Sequence, residues 1–228
     1  MLDVGGGPGF YSCWLARLGY DVHLIDPVSL HLQQARELSA EQPEHPISEI
    51  IQGDARSLDV PDASADALLL CGPLYHLVEQ RDRLQALSEA RRVLRPGGIL
   101  FAIGITRYAS LMVGILRDWM DDPVYCDMVK QVIKEGLHTT PESWPSLFTT
   151  AHFTTPDELE HEIRQAGLVC RETLAVQGPA WMAPDIEARW ADDRKRQRLL
   201  DLAEYMEKDP LSLALGPHMM TIAYRALN

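Results

Sequence analysis

The chain is poor in cysteine, and its cysteines are not paired. Cys13, Cys71, Cys126 and Cys170 are dispersed among 228 residues, with no Cys-x-x-Cys spacing. Structural zinc sites and redox pairs need thiols at short, defined spacings. We therefore expect no metal site, and we interpret these thiols mainly as small core residues.

Positive charge is also scarce. The chain has 21 Lys and Arg against 33 Asp and Glu, which gives a formal net charge of −12. Proteins that bind nucleic acids use lysine and arginine to neutralise phosphates. This balance argues against a nucleic-acid partner and favours a small molecule.

Long apolar runs are missing as well. No charge-free run reaches the length that spans a membrane, and the N-terminus lacks a basic region followed by an apolar stretch. We expect a soluble, cytoplasmic chain with no membrane partner. Its 228 residues, 46% of them hydrophobic, are enough for one well-filled domain.

What the chain does have is a glycine-rich turn at its start. Leu2–Val4 is a short apolar run suited to a buried parallel strand, and Gly5, Gly7 and Gly9 follow it. Glycines let the backbone turn sharply into a helix and approach a ligand closely. The next apolar run ends at Asp26, about 20 residues after the turn. That order is how α/β proteins hold a nucleoside-bearing cofactor.

Two further signals follow in the expected order. Gly53-Asp54-Ala55 comes after the apolar run 47–51, and residues 94–98, Leu-Arg-Pro-Gly-Gly, lead into another apolar run. Aspartates also cap helices and form turns, and a glycine-rich turn is often only a tight connection. The agreement of three signals favours a cofactor site over these structural alternatives.

Helix signals connect the predicted strands. Leu84, Leu87 and Ala90 recur at helical spacing, which predicts a helix with one face on the sheet. Further along, Thr155 and Glu158 have the spacing of a capping box at the start of a helix. Alternating strands and helices predict an α/β fold.

With these motifs, the chain resembles the class I S-adenosylmethionine-dependent methyltransferases. The resemblance covers residues 2–104 well and continues loosely to the C-terminus, where residues 168–176 and 218–226 look like the last two strands of that fold. It implies a Rossmann-like, doubly wound α/β sheet of seven strands. It also implies S-adenosylmethionine as the cofactor and methyl transfer as the activity.

The resemblance gives individual positions a role. The glycine-rich turn would pass under the methionine part of the cofactor, and Asp26 would accept hydrogen bonds from both ribose hydroxyls. Asp54 and Ala55 would contact the adenine, and Cys71 would lie beside the transferring methyl group. The cofactor-binding residues implied in this way are Asp3, Gly5, Gly6, Gly7, Gly9, Asp26, Pro27, Asp54, Ala55 and Cys71.

Two residues after the fourth strand are candidate catalytic residues. His76 has a neutral form near pH 7 and could take a proton from the acceptor, while Tyr75 could orient the acceptor or line the pocket. The structural alternatives are that Tyr75 packs its ring and that His76 caps the following helix. Amino-methylating DNA enzymes often have Asn/Asp-Pro-Pro-Tyr here, and residues 71–76 of this chain are Cys-Gly-Pro-Leu-Tyr-His. This difference again favours a small-molecule acceptor.

The chain departs from the family at its start, where Met1 directly precedes the glycine strand. The helical segment that usually comes before that strand is missing. Either other segments cover the cofactor, or the gene product begins further upstream. Both explanations stay open.

Two segments are longer than the minimal fold requires. Residues 106–154 and 177–217 are rich in Trp, Met, Tyr and Pro, and loops of this length are usually functional or carry helices of their own. We expect a single methyltransferase domain over residues 1–228, in which both insertions form a helical substrate cap over the strand ends. Apolar stripes at helical spacing are also what ordinary packing produces.

Two other functions compete with methyl transfer. A nicotinamide-dependent oxidoreductase would share the glycine turn and the ribose acid. However, the later glycine of the dinucleotide fingerprint is replaced here by Tyr11 or Ser12. A non-catalytic subunit would bind S-adenosylmethionine and act through a partner. The sequence leaves the oligomeric state open, a homodimer included.

Overall fold

The computed structural model describes residues 1–227. Within them, the strands are β1 (Leu2–Val4), β2 (His23–Asp26), β3 (Glu49–Gln52), β4 (Ala65–Leu70), β5 (Leu94–Thr106), β6 (Leu137–His138), β7 (Ala151–Thr154), β8 (Val169–Ala175) and β9 (His218–Tyr224). The helices are α1 (Phe10–Arg17), α2 (Ser29–Ala40), α3 (Pro73–His76), α4 (Gln80–Val93), α5 (Ala109–Leu116), α6 (Pro123–Glu135), α7 (Pro156–Gln165), α8 (Ile186–Ala191) and α9 (Asp193–Met206). Two short 3-10 helices span Gly178–Met182 and Pro210–Ala214.

The strands form one sheet in the order β3-β2-β1-β4-β5-β7-β6, with β8 paired to β9 and β9 to β5. Strand β1 pairs in parallel with β2 on one side and with β4 on the other. Parallel pairing also joins β2 to β3 and β4 to β5. The strand order therefore reverses between β1 and β4, and the carboxyl ends of these strands lie along one edge, where doubly wound sheets bind ligands.

The predicted doubly wound sheet is confirmed. Strand β1 has the predicted bounds, and β8 and β9 form within the two segments expected to hold the last strands. Strands β6 and β7 were not predicted. Both belong to the first insertion, where β6 runs antiparallel to β7 and β7 pairs in parallel with the end of β5.

The capping box at the start of α7 is confirmed in detail. The Thr155 hydroxyl accepts a hydrogen bond from the Glu158 N–H at 3.3 Å, and the Glu158 carboxylate accepts one from the Thr155 N–H at 3.0 Å. Two of the amide groups that a helix start leaves without partners are satisfied in this way. Leu159 and Ile163 on the same helix are buried.

Helix α1 buries Cys13, Leu15 and Ala16, whereas the Phe10 side chain is 68% exposed and that of Trp14 is 51% exposed. The helix ends before Gly19, whose φ of 88° is the left-handed conformation of a helix terminus. The apolar spacing predicted the helix correctly, but of its large residues only Leu15 belongs to the buried face.

The chain divides into two compact units. The first, called the sheet unit, contains Met1–Ile103, Glu160–Arg171 and the chain from Ile222. The second, called the insertion unit, contains Gly104–Leu159 and Glu172–Thr221. Both long insertions of the sequence therefore belong to the insertion unit.

The insertion unit has a core of its own. The rings of Trp119, Tyr125 and Trp144 lie 5.1 to 5.5 Å apart by their centroids. Tyr125 is fully buried, and its hydroxyl donates to the Ser110 carbonyl at 2.7 Å. His138 is also buried and stacks on the Phe153 ring at 5.0 Å. The insertions thus fold as packed helices rather than as open loops.

The two insertions are joined by hydrogen bonds near their ends. The Thr106 hydroxyl donates to the Gly216 carbonyl at 2.9 Å, and the Thr106 N–H donates to the Pro217 carbonyl at the same distance. In the described part of the chain, no helix is both long and apolar enough to cross a membrane.

Candidate functional site

The candidate site begins at the turn between β1 and α1. Gly5, Gly7 and Gly9 have φ angles of 71°, 56° and 87°, which residues with a side chain rarely adopt. The Gly5 N–H donates to the Ile25 carbonyl at 2.7 Å, which fixes the turn to β2. A Cβ on Gly7 would meet no atom within 4 Å. Gly7 therefore borders open space, where a ligand can approach the backbone.

The remaining glycines of the turn are tightly packed. A Cβ on Gly5 would lie 2.6 Å from the Pro73 ring, and one on Gly6 would lie 2.8 Å from the Asp3 carboxylate. A side chain at either position would have to displace its neighbours. Glycine at these two positions is thus required by packing inside the protein.

Asp3 lies beneath the turn and is 1% exposed. Its Oδ2 atom accepts a hydrogen bond from the Ser12 hydroxyl at 2.7 Å, while Oδ1 has no partner among the described residues. Burial raises the pKa of this carboxyl, and the nearby charge of Asp26 raises it further, against the lowering by Ser12. A buried carboxylate oxygen without a partner is costly and points to a ligand group that satisfies it.

Asp26 ends β2 and is only 4% exposed. Its carboxylate accepts hydrogen bonds from the Gly7 and Val28 N–H groups, each at 2.9 Å, and lies 3.1 Å from the His31 Nδ1 atom. A carboxylate has about four acceptor positions, and three are occupied here. Asp26 thus ties the glycine turn to α2, and one acceptor position is left for a ligand. None of these three contacts was predicted from the sequence, which assigned Asp26 only to the ribose hydroxyls.

The predicted adenine residues lie in the turn after β3. The Arg56 guanidinium donates to both Asp54 carboxylate oxygens through Nε and Nη2, at 2.9 and 2.6 Å, and the Arg56 backbone N–H donates to the same carboxylate at 2.8 Å. The hydrogen bonds from Arg56 hold the pKa of Asp54 below its usual range. Ala55 is buried, and the exposed Pro27 accepts a hydrogen bond at its carbonyl from Gln52.

Cys71 follows the last residue of β4. Burial, and to a smaller extent the charge of Asp3, raise the pKa of its thiol to about 12. The thiol is therefore protonated at neutral pH, and its sulfur is a poor nucleophile.

Tyr75 and His76 form the end of the single helical turn α3. Their ring centroids are 4.7 Å apart, with the ring planes tilted by 56°. Burial lowers the pKa of His76, partly offset by the charge of Asp26. Burial likewise raises the pKa of the Tyr75 phenol, with a contribution from Cys71. At neutral pH the imidazole is thus neutral and can accept a proton, while the phenol keeps its own.

The structure adds Tyr11 to this group. Its pKa is raised by partial burial and by the charges of Cys71 and Asp3, and its own charge acts on Tyr75. Tyr11 stands two residues after Gly9, in the first turn of α1. Its place directly after the glycine turn is visible in the sequence and could have marked Tyr11 as a site residue. There, Tyr11 was used only as evidence against a dinucleotide-binding motif.

A buried ion pair supports the segment after His76. Arg83 on α4 and Glu162 on α7 are about 95% buried, and the guanidinium donates to both carboxylate oxygens, the closest at 2.7 Å. Its remaining terminal nitrogen donates to the Leu77 and Val78 carbonyls at 3.0 and 2.6 Å. The apolar face of α4 could be predicted from the sequence, but the buried arginine on it could not. The helical spacing of apolar residues does not reveal a charged partner that is 79 residues away.

The structure therefore gathers one group of site residues. Asp3, the glycine turn, Asp26, Cys71, Tyr75 and His76 interact at the carboxyl ends of β1, β2 and β4, and Asp54 with Ala55 follows β3. In residues 1–227, no three His, Cys, Asp or Glu side chains are grouped so that they could hold a metal ion.

The chain is similar to known methyltransferases in sequence. Residues 2–102 match the family model described as a methyltransferase domain. A ubiquinone biosynthesis O-methyltransferase from Acinetobacter baumannii is 25% identical over 202 residues, which cover 83% of this chain and 74% of that protein.

Solved structures show the same fold. A methyltransferase dependent on S-adenosylmethionine from Methanosarcina mazei superposes with a TM-score of 0.66 at 20% identity, over 100% of this chain and 92% of that one. The CcbJ methyltransferase from Streptomyces caelestis has a TM-score of 0.62 at 18% identity, over 99% and 82% of the two chains. Together with the glycine turn and the strand-end carboxylates, these matches show that residues 2–102 form a methyltransferase domain with the class I fold and that its cofactor is S-adenosylmethionine.

Proposed function

We propose that the enzyme methylates a hydroxyl oxygen of a small-molecule acceptor, with His76 as the proton acceptor. A hydroxyl is a weak nucleophile until its proton is removed, so a nearby base accelerates its methylation. The observation that carries this proposal is the position of His76 at the end of α3, the helical turn that follows β4, with its ring 4.7 Å from that of Tyr75. Burial lowers the pKa of His76, which favours the neutral imidazole at pH 7. The O-methyltransferase activity in the name of the Acinetobacter relative supports it.

The sheet unit supplies the groups that fit the cofactor. The open space at Gly7 allows close approach to the turn, and the unpartnered Asp3 oxygen provides a buried acceptor beside it. Asp26 keeps one acceptor position, which fits one ribose hydroxyl better than the two expected from the family resemblance. Asp54, partly exposed beyond its Arg56 contact, has room to accept from the adenine amino group.

Little further chemistry is required of the protein. When bound, the cofactor supplies an electrophilic methyl group that moves by in-line displacement, so the protein has to align the acceptor and exclude water. The acceptor hydroxyl gives its proton to His76 as the oxygen attacks. The Tyr75 phenol, protonated because burial raises its pKa, orients the acceptor through a hydrogen bond. The protonated Cys71 thiol does not compete as a nucleophile.

The insertion unit supplies the acceptor site in this proposal. Both insertions contain helices and are joined to each other through Thr106, and the first packs around the buried Tyr125. A compact unit of this kind can form a pocket whose shape selects the acceptor. The substrate cap expected at residues 106–154 and 177–217 is retained as part of the proposal.

The test replaces His76 by alanine. We expect turnover to fall at least about tenfold, measured as S-adenosylhomocysteine released from labelled S-adenosylmethionine with a panel of phenols and catechols. In the unsubstituted enzyme, kcat/KM should stay level through the ordinary histidine pKa of about 6.5 and fall only at lower pH, because burial lowers the pKa of His76. His76→Ala should lose this limb of the pH profile.

His45→Ala is the matched control, since His45 is an exposed histidine of the same unit. A loss below tenfold in His76→Ala, or an unchanged pH limb, would remove His76 as the proton acceptor. If S-adenosylmethionine binds but no acceptor of any class is turned over, the chain acts as a non-catalytic cofactor-binding subunit instead.

A further inference from the structure

A pocket lies within the insertion unit. Its volume is about 570 Å³, which is in the range of small-molecule sites. Val113 and Leu116 of α5 line one side, and Trp181, Met182 and Ile186 line the other. The Trp181 indole N–H already donates to the Leu215 carbonyl at 2.8 Å, so the rest of the ring offers the pocket an apolar surface.

Three charged side chains also line this pocket, namely Arg117, Asp185 and Glu187. Within residues 1–227, none of the three side chains forms a hydrogen bond or an ion pair, either with one another or with other residues. Two other pairs of charged side chains in the same unit do contact each other, Arg107 with Glu158 and Arg196 with Asp193. The pocket therefore keeps charges of both signs available to a ligand.

We propose that this pocket binds a ring-bearing zwitterion with an amine and a carboxylate. The binding site belongs to the insertion unit alone. A purely anionic ligand would face the carboxylates of Asp185 and Glu187, and a purely cationic one would face Arg117. A ligand with both charges can place its carboxylate near Arg117 and its amine near Asp185 and Glu187. Its apolar body fits the walls around Trp181 and Met182.

The test uses three indole compounds that share one apolar body. Tryptophan carries both charges, indole-3-propionate only the negative one and tryptamine only the positive one. Calorimetric titration in the presence of saturating S-adenosylhomocysteine should rank tryptophan first, at least about threefold tighter than either of the others, because ion pairs at half-open sites add modest affinity.

Substitutions assign each charge to its partner. Arg117→Gln should weaken tryptophan and indole-3-propionate at least about threefold and leave tryptamine unchanged or tighter. Asp185→Asn combined with Glu187→Gln should weaken tryptophan and tryptamine and spare indole-3-propionate. Arg194→Gln, an exposed arginine of the same unit, is the matched control and should change none of the affinities.

The outcomes separate this inference from the proposed function. If a singly charged compound binds as tightly as tryptophan, or if Arg117→Gln has no effect, the zwitterion assignment is wrong. If none of the three indole compounds binds while phenols are still methylated in a manner that depends on His76, the pocket assignment fails and the proposed function stands. If the indole compounds bind in the expected order but His76→Ala is fully active, the proposed proton acceptor fails and the pocket stands.

Discussion

The sheet unit and the insertion unit differ in whether the polar side chains described above have partners inside the protein. In the sheet unit, Asp26 accepts from two backbone N–H groups and contacts His31, and Arg83 is buried with Glu162. In the insertion unit, Arg117 and two carboxylates line a pocket with no partner among residues 1–227.

This difference matches two kinds of ligand. A cofactor shared by a whole family can be bound by groups that the fold itself holds in place, because its shape does not change from one enzyme to the next. An acceptor that differs between relatives requires groups that the fold does not already use. In this chain, we expect cofactor binding to depend on paired groups of the sheet unit, and binding in the insertion-unit pocket to depend on the unpaired charges of Arg117, Asp185 and Glu187.

The largest expected effect tests the internal pairing of the sheet unit. Arg83→Ala leaves the Glu162 carboxylate buried without a partner, so the free energy of unfolding should fall by about 3–5 kcal/mol. Arg117→Gln in the insertion unit removes no contact and should change it by less than about 0.5 kcal/mol. Urea unfolding of both variants measures the contrast, and equal losses would mean that the two units do not differ in this respect.

A smaller effect is expected from alanine at Gly7 and Gly19, and it distinguishes loss of ligand binding from loss of stability through backbone strain. Gly7 and Gly19 both have positive φ, and a Cβ on either would meet no atom within 4 Å. Alanine at each position should therefore destabilise the fold by a similar amount, about 1–2 kcal/mol. Gly7→Ala should in addition weaken binding of S-adenosylhomocysteine at least about tenfold, since the new methyl group occupies the side from which the ligand approaches.

Calorimetric titration of the two glycine variants gives the comparison. Gly19→Ala is the control, because its turn at the end of α1 is not part of the proposed site. Equal affinity of both variants for the product would show that the space at Gly7 is not used by the cofactor.

The smallest expected effect concerns a buried histidine of the insertion unit. Burial lowers the pKa of His138 in the folded protein, so below about pH 6.5 the unfolded chain binds a proton that the folded chain does not. The free energy of unfolding should therefore fall as pH drops through this window, by less than about 1.4 kcal/mol per pH unit for one histidine.

His138→Gln should reduce that pH dependence, because glutamine can donate to the Phe148 carbonyl and does not titrate. Urea unfolding at pH 5.5 and 7.5 measures the slope. A slope that is the same in both proteins would show that His138 takes up its proton equally well in the folded and unfolded states.

The parts of the fold that could be predicted from the sequence depend on local chemistry. The glycine turn after β1 and the capping box of Thr155 and Glu158 follow from requirements of the backbone itself. The order of Gly5, Asp26 and Asp54 predicted the strand ends on which the site is built.

What could not be predicted depends on distant partners. Arg83 stands on a helix whose apolar spacing was clear, but only the fold brings it to Glu162. In the first insertion, Val129 and Val132 recur at helical spacing and are buried, whereas nothing in the sequence marked Tyr125 as the centre of its aromatic core.

The raised pKa of the Cys71 thiol affects how readily the bound S-adenosylmethionine could methylate the protein itself. With a pKa of about 12, only about one thiol in 10⁵ is ionised at pH 7, and thiolates rather than thiols attack electrophiles. The side chain should therefore resist alkylation by iodoacetamide and, in the same way, methylation by the sulfonium it is proposed to adjoin. Burial here protects the catalyst from modifying itself.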